Sequence, residues 1–214
     1  MSTWGPSRFW TDVSVEPVEE GFAIRLDERP VRTPNRAELA VPTQGFAERI
    51  ADEWRTQEDV IKPDTMPFTR AANTAIDKVS AEFDAVAKML ISYGETDMLC
   101  FRAEAPQELR QRQADAWDPL LDWAAQEFDA PLNVTSGVLP VSQPEDSQMR
   151  IGRDVRTWTP FQLVGFHAFG VLSGSIVVGL AVIHGRATAV ELWDTSRLDE
   201  LWQMEQWGED QEAA

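Results

Sequence analysis

The sequence predicts an α+β protein: a small N-terminal antiparallel β-rich domain followed by a larger, mainly α-helical domain. Three observations carry this reading. Up to Thr43, apolar and polar residues alternate along short runs, the pattern of half-buried strands. From Thr43 onward, apolar residues recur at the spacing of a helix face. Finally, the 29 residues of Thr157–Gly185 carry no charge between Arg156 and Arg186, so the rest of the chain is expected to cover them.

The strands come first. Phe9, Val13 and Val15 alternate within residues 8–16, and Phe22, Ile24 and Leu26 repeat the pattern after a PVEEG turn. The DERP turn from Asp27 leads to a short strand at Val31–Thr33, and Leu39 and Val41 mark a fourth strand. A small antiparallel sheet is the economical arrangement of such pieces. Next, Phe46, Ala47, Ile50 and Trp54 define a helix with Thr43 as N-cap and with Glu48, Arg49, Asp52, Glu53 and Arg55 on its outer face. Pro63 and Pro67 then make an irregular connection into a helix of small residues. The expected domains are 1–78 and 79–214.

In the second domain, Phe83, Val86, Ala87, Leu90 and Ile91 form a helical stripe that Ser80 can cap. Residues 106–129 form either one bent helix or two, because Asp118-Pro119 reads as a cap followed by a first-turn proline. One extended piece is expected at Leu132–Thr135, then a helix from Glu145 to Thr157 with Met149, Ile151 and Val155 on its apolar face. The uncharged interval is long enough for a membrane helix, which needs about 20 apolar residues. Its Ser173-Gly174-Ser175 break and its polar residues Gln162 and His167 favour a soluble helical hairpin instead. Gly165, Gly170, Gly174 and Gly179 are expected to let neighbouring helices approach closely. After a helical piece at Thr188–Trp193, Ser196 and Asp199 stand at capping-box spacing for a last helix that stops at Gly208.

Composition excludes several functions. A net charge of −17 argues against sequence-independent nucleic-acid binding and against anionic membranes, both of which need a basic face. The acid surplus is mostly helical and C-terminal, with eleven acids to four bases in residues 80–130 and eight to one in residues 187–214. A single cysteine, Cys100, excludes an internal disulfide and fits a reducing compartment; among apolar neighbours it reads as a buried small hydrophobe. The N-terminus has neither a signal-peptide core nor a transit-peptide pattern. The expected location is therefore the bacterial cytoplasm, with no stable membrane insertion.

No catalytic constellation emerges. Only His167 and His184 are present, with no second cysteine, which leaves no ordinary zinc set. His167 reads as a core histidine, and His184 as a residue placed by a helix C-terminus. No phosphate-binding loop, dinucleotide fingerprint or nucleophile elbow occurs. Neither a cofactor nor a metal is expected, and no residue is assigned a catalytic role. The rival class is an enzyme with a dispersed anion site around Arg29, Arg32 and Arg70. What remains is an aromatic and acidic surface of the kind proteins use to bind one another: Trp193, Trp202 and Trp207 lie among Glu191, Asp194, Glu200 and Glu205.

The blocks LDERPVRTP (26–34), LAVPT (39–43), AERIADEWRTQ (47–57), MPFTRAANTAID (66–77), WDPLLDW (117–123), SGS (173–175) and the terminal SRLDELWQMEQWGED together resemble the ATP synthase F1 complex assembly factor 2 family. The similarity runs from about Phe9 to Asp210. The resemblance implies a chaperone that binds the unassembled F1-ATPase alpha subunit, covers a surface later taken by a beta subunit, prevents aggregation and performs no reaction. It also implies a β-rich N-terminal domain joined to a helical one. The residues it points to for partner binding are Trp54, Glu200, Trp202, Glu205, Trp207 and Asp210. A monomer is expected.

Overall fold

The computed structural model describes residues 7–208. The architecture is α+β, and contacts divide the chain into two compact units. One holds the described residues up to Phe83 together with Thr159–Val164; the other holds Asp84–Trp158 and the described chain from Gly165 onward.

In the first unit, strands β1 (Val13–Val18) and β2 (Gly21–Leu26) pair antiparallel, with Val13 opposite Leu26 and Val18 opposite Gly21. Strands β3 (Arg29–Pro30) and β4 (Ala40–Val41) share the other edge of β2. At the turn after β2, Asp27 Oδ1 accepts from the N–H groups of Thr11 and Asp12 at 3.0 and 2.9 Å, and these donors hold its carboxyl below the usual range. β1 begins at Val13 rather than Arg8. Residues 31–33 extend the sheet through single contacts, Val31 N–H to the Ile24 carbonyl at 2.8 Å and an Arg32–Glu38 bridge, without forming a strand.

Helix α1 (Gln44–Arg55) covers the sheet, and Thr43 Oγ1 accepts from Phe46 N–H as expected of its cap, a contact worth about 1 kcal/mol. Ala47, Ile50 and Ala51 pack among Ile24, Leu26, Leu39 and Val41, with Phe161 also against this core. Glu53 is not on the outer face. It is buried, and its carboxylate accepts from Phe68 N–H, Thr69 N–H and Thr69 Oγ1 at 2.6, 2.7 and 2.7 Å. It thus caps helix α2 (Pro67–Thr74), placing negative charge at the positive end of the helix dipole. A π-helical turn, Ala75–Val79, follows α2.

In the second unit, α3 (Phe83–Ser92) has no cap from Ser80, whose hydroxyl donates instead to the Ala75 carbonyl at 2.9 Å. Helix α4 (Gln107–Phe128) is one continuous helix with Pro119 inside it. An internal proline costs about 3 kcal/mol; burial of Trp117, Leu120, Leu121 and Ala124 offsets it. Asp118 is not a cap but an ion-pair partner, 2.6 Å from the nearly buried Arg102. Strands β5 (Phe101–Arg102) and β6 (Thr135–Ser136) pair in parallel. On α5 (Glu145–Val155), Ile151 and Val155 are buried, but Met149 faces outward.

The uncharged interval forms α6 (Pro160–Ser173) and α7 (Ile176–Ile183), broken at residues 174 and 175. Among the described residues, no helix is long and apolar enough to cross a membrane. Gly174 takes φ +67°, the left-handed turn that ends α6. Of the four glycines expected at close contacts, only Gly179 has one: a Cβ there would lie 2.5 Å from the Phe166 ring. Gly165 and Gly170 meet nothing closer than ordinary contact.

The break is held by Asp97, a fully buried carboxylate. Its Oδ1 accepts from Leu99 N–H at 2.9 Å, and its Oδ2 accepts from the Ser175 hydroxyl at 2.9 Å and from Val177 N–H at 3.0 Å. Ser175 Oγ in turn accepts from Val178 N–H at 3.1 Å. Burial pushes the Asp97 carboxyl above the usual range, while those donors pull it back. Beside it, burial and the Asp97 charge push the Cys100 thiol up to about 12, so it stays protonated and inert.

Helix α8 (Ala189–Ser196) starts at a reciprocal capping box between Thr188 and Glu191. Helix α9 (Leu198–Trp207) does not start at Ser196: that hydroxyl closes α8 on the Trp193 carbonyl, and Arg197 is the flanking residue. Gly208, at φ +83°, ends α9 as expected.

Candidate functional site

The residues singled out by sequence fall in both units, and those on α9 divide between two of its faces. Trp54 belongs to the first unit, half-buried, its ring edge-on to Trp10 at 5.2 Å between centroids. Its neighbours in the EWRTQ block hold the fold: Glu53 caps α2, and buried Gln57 donates to the Glu53 carbonyl and Thr65 Oγ1 while accepting from Lys62 N–H at 2.7 Å.

In the second unit, α9 distributes its residues over two faces. At 100° per residue, Leu198, Trp202 and Glu205 fall within about 60° of one another, whereas Glu200 and Trp207 share the opposite side about 20° apart. Trp202 is buried and Trp207 is 80% exposed. Asp210 lies outside the described residues.

The first of these faces borders a groove of about 490 Å³ with α4 and the end of α8. Its floor is apolar, formed by Ala116, Leu198, Leu201 and Trp202; its rim carries the exposed carboxylates Asp115, Asp194 and Glu205. Arg112 spans the groove. Its guanidinium lies 4.5 Å from the Trp202 ring centroid and 2.7 Å from Glu205, with Glu108 at 3.6 Å. Beneath, Gln113 donates to Asp199 at 2.7 Å and Trp117 Nε1 donates to the Thr195 carbonyl at 2.9 Å, fixing α9 and α8 on α4.

Glu200 repeats the arrangement on a smaller scale. It accepts from Arg197 at 2.6 Å, and Arg197 lies 5.5 Å over the Trp193 ring. Each acid singled out within the described residues is therefore paired with an arginine that also covers a tryptophan. Exposed pairs of this kind are worth about 0.2–1 kcal/mol and an exposed arginine on an aromatic face about 0.5–1 kcal/mol, weak enough for a partner to displace.

The other expectations resolve separately. His167 is exposed on α6, not a core histidine; helix α6 leaves that face uncovered. His184 caps α7 and its Nε2 lies 2.8 Å from Asp154, beside the rings of Trp123, Phe128 and Trp158. Arg29, Arg32 and Arg70 make unrelated contacts: with the Phe9 ring, the Arg36 carbonyl and Asp64 respectively. Among the described residues none of these contacts joins two of the three arginines, and no group of three or more His, Cys, Asp or Glu is placed to hold a metal. Sequence reasoning missed Arg112, and nothing local could have signalled it: its partner Glu205 lies 93 positions away.

A protein-family model described as ATP12 chaperone protein matches residues 7–125. Atp12 from Paracoccus denitrificans is 48% identical over 97% of this chain and 89% of that one, with a TM-score of 0.88. An aspartate-to-lysine mutant of P. denitrificans Atp12p matches at 48% identity, TM-score 0.90, over 99% and 91% of the two chains. A candidate chaperone from Agrobacterium tumefaciens is 40% identical over 97% of this chain and 78% of that one, TM-score 0.88. The chain therefore belongs to the ATP12 chaperone protein family, the family its sequence blocks resemble.

Proposed function

We propose that the protein binds the unassembled F1-ATPase alpha subunit, keeps it from aggregating and promotes assembly of the ATP synthase F1 sector. It acts as a monomer in the bacterial cytoplasm and catalyses no reaction. The observation that carries this reading is the similarity to P. denitrificans Atp12, 48% identity over 97% of the chain. The physical argument is that an unassembled subunit exposes an apolar interface, and an apolar groove rimmed with acids covers such a surface reversibly. Apolar contact supplies attraction; carboxylates supply selectivity and encounter rate. Glu205 and Trp202 serve the groove face of α9, Glu200 and Trp207 the opposite one, and Trp54 is the partner-binding residue of the first unit.

The test is capture on immobilised protein, with isolated F1 alpha and beta subunits offered separately. Alpha is retained and beta is not, and charge reversal at Glu205 and Glu200 weakens capture without changing the circular dichroism spectrum. Equal retention of both subunits by the wild type refutes the reading. Wild-type capture by the folded double variant removes those acids from the site.

A further inference from the structure

The groove between α4 and α9 already holds one cation, Arg112, and that occupancy indicates what else it accepts. The guanidinium sits 4.5 Å from the Trp202 ring centroid while reaching Glu205 at 2.7 Å. Asp115 and Asp194, on the same rim, have no ion-pair partner among the described residues, so the rim holds three carboxylates against one guanidinium. Below the rim, Leu201 is 38% exposed, an apolar surface at the edge of a charged opening. Such a site is complementary to a positive charge next to an apolar side chain. Arg112 satisfies only half of that pattern, supplying the charge and no apolar group for the floor.

We propose that this groove docks a polypeptide segment carrying an arginine or lysine beside an apolar residue, and that Arg112 is a resident stand-in which the incoming cation displaces. The incoming apolar side chain covers Leu201 and Leu198, and its cation takes Glu205, Asp194 or Asp115, the last of which accepts only from the neutral Gln111 amide, at 2.8 Å. Freed from Glu205, Arg112 still has Glu108 one helical turn away, at 3.6 Å, so displacement does not leave it without a partner. Arg112 thus lowers affinity for every client and sharpens the requirement for a cation. This rests on the chaperone reading only for the identity of the polypeptide, not for the existence of the groove.

The experiment uses the full chain and short fluorescent peptides of three compositions, Arg/Leu, Gln/Leu and Glu/Leu, read by anisotropy at low and high salt. The Arg/Leu peptide binds best and loses affinity as salt rises, because exposed charges are screened. Glu205→Gln weakens it about threefold and Arg112→Gln tightens it about threefold, the scale of an exposed ion pair. Arg112→Lys, which keeps the charge, stays close to wild type, and circular dichroism verifies each fold. Weaker binding by folded Arg112→Gln, or equal binding of the three peptides, overturns the proposal. Isolated F1 alpha subunit is the second arm. If the peptide order holds but alpha is ignored, the groove stands and the client assignment falls; if alpha is captured while the peptides are not distinguished, the reverse holds.

Discussion

Helices α6 and α7 come from the same uncharged stretch, yet one is interior and the other is half surface. Every residue of Ile176–Ala181 on α7 is buried, while α6 leaves His167, Ala168, Val171 and Leu172 exposed, Leu172 at 69%. Absence of charge therefore does not determine burial. The difference lies in what holds each helix start. α7 begins on a network built by Asp97 and Ser175, aimed at its first N–H groups. α6 begins at Pro160 with the exposed local contacts of Thr159 and Gln162. The apolar run permits either outcome; α7, which packs against α4 and α8, is the half whose start is held by a buried carboxylate far away in sequence.

Removing that carboxylate destabilises the protein more than any other change considered. Asp97→Ala leaves the N–H groups of Leu99 and Val177 and the Ser175 hydroxyl without their acceptor, and loses about 3–5 kcal/mol in urea unfolding. A loss below about 1 kcal/mol contradicts the network's role. Next, Leu180→Ala on α7 costs about 2–5 kcal/mol, whereas Leu172→Ala on α6 changes stability by about 0.5 kcal/mol or less. Equal costs for the two leucines refute the asymmetry.

The smallest effect concerns pH and sharpens the contrast between a buried and an exposed cap. At Glu191 the Thr188 N–H and hydroxyl hold the carboxyl below its usual 4.5. Its stabilisation is therefore complete above that value and is lost as pH falls through the lowered folded pKa. Glu191→Gln flattens the acid side of the stability curve. Asp97 has the opposite sign: burial raises its pKa, so protonation favours the fold and its contribution declines as pH rises through the raised value. Asp97→Asn abolishes that decline. Acid titrations of the two variants that shift in the same direction contradict this assignment.

Much of the fold was legible because its signals are local. Thr43 caps α1, Gly208 ends α9, and the break at residues 174 and 175 divides the uncharged run where glycine and serine allow it. Errors arose where a distant group decided. Glu53 has the spacing of a solvated residue but turns inward because the start of α2 lies within reach. Pro119 left one bent helix or two equally open, and burial of the residues around it decides for the single helix α4. Ser196 and Asp199 have capping-box spacing, but Thr188 and Glu191 form the box. The site was legible as a composition of acids and tryptophans and not as a shape. Helical geometry separates Glu200 from Glu205, and only the tertiary fold brings Arg112 onto Trp202.

In the proposed function this ATP12 family member protects unassembled alpha subunit. The most direct measurement is light scattering of isolated F1 alpha subunit, warmed until it aggregates, with and without an equimolar amount of the protein. Suppressed scattering that returns when Glu205 is reversed to lysine is the predicted result. Unchanged scattering with the folded wild-type protein present contradicts the account.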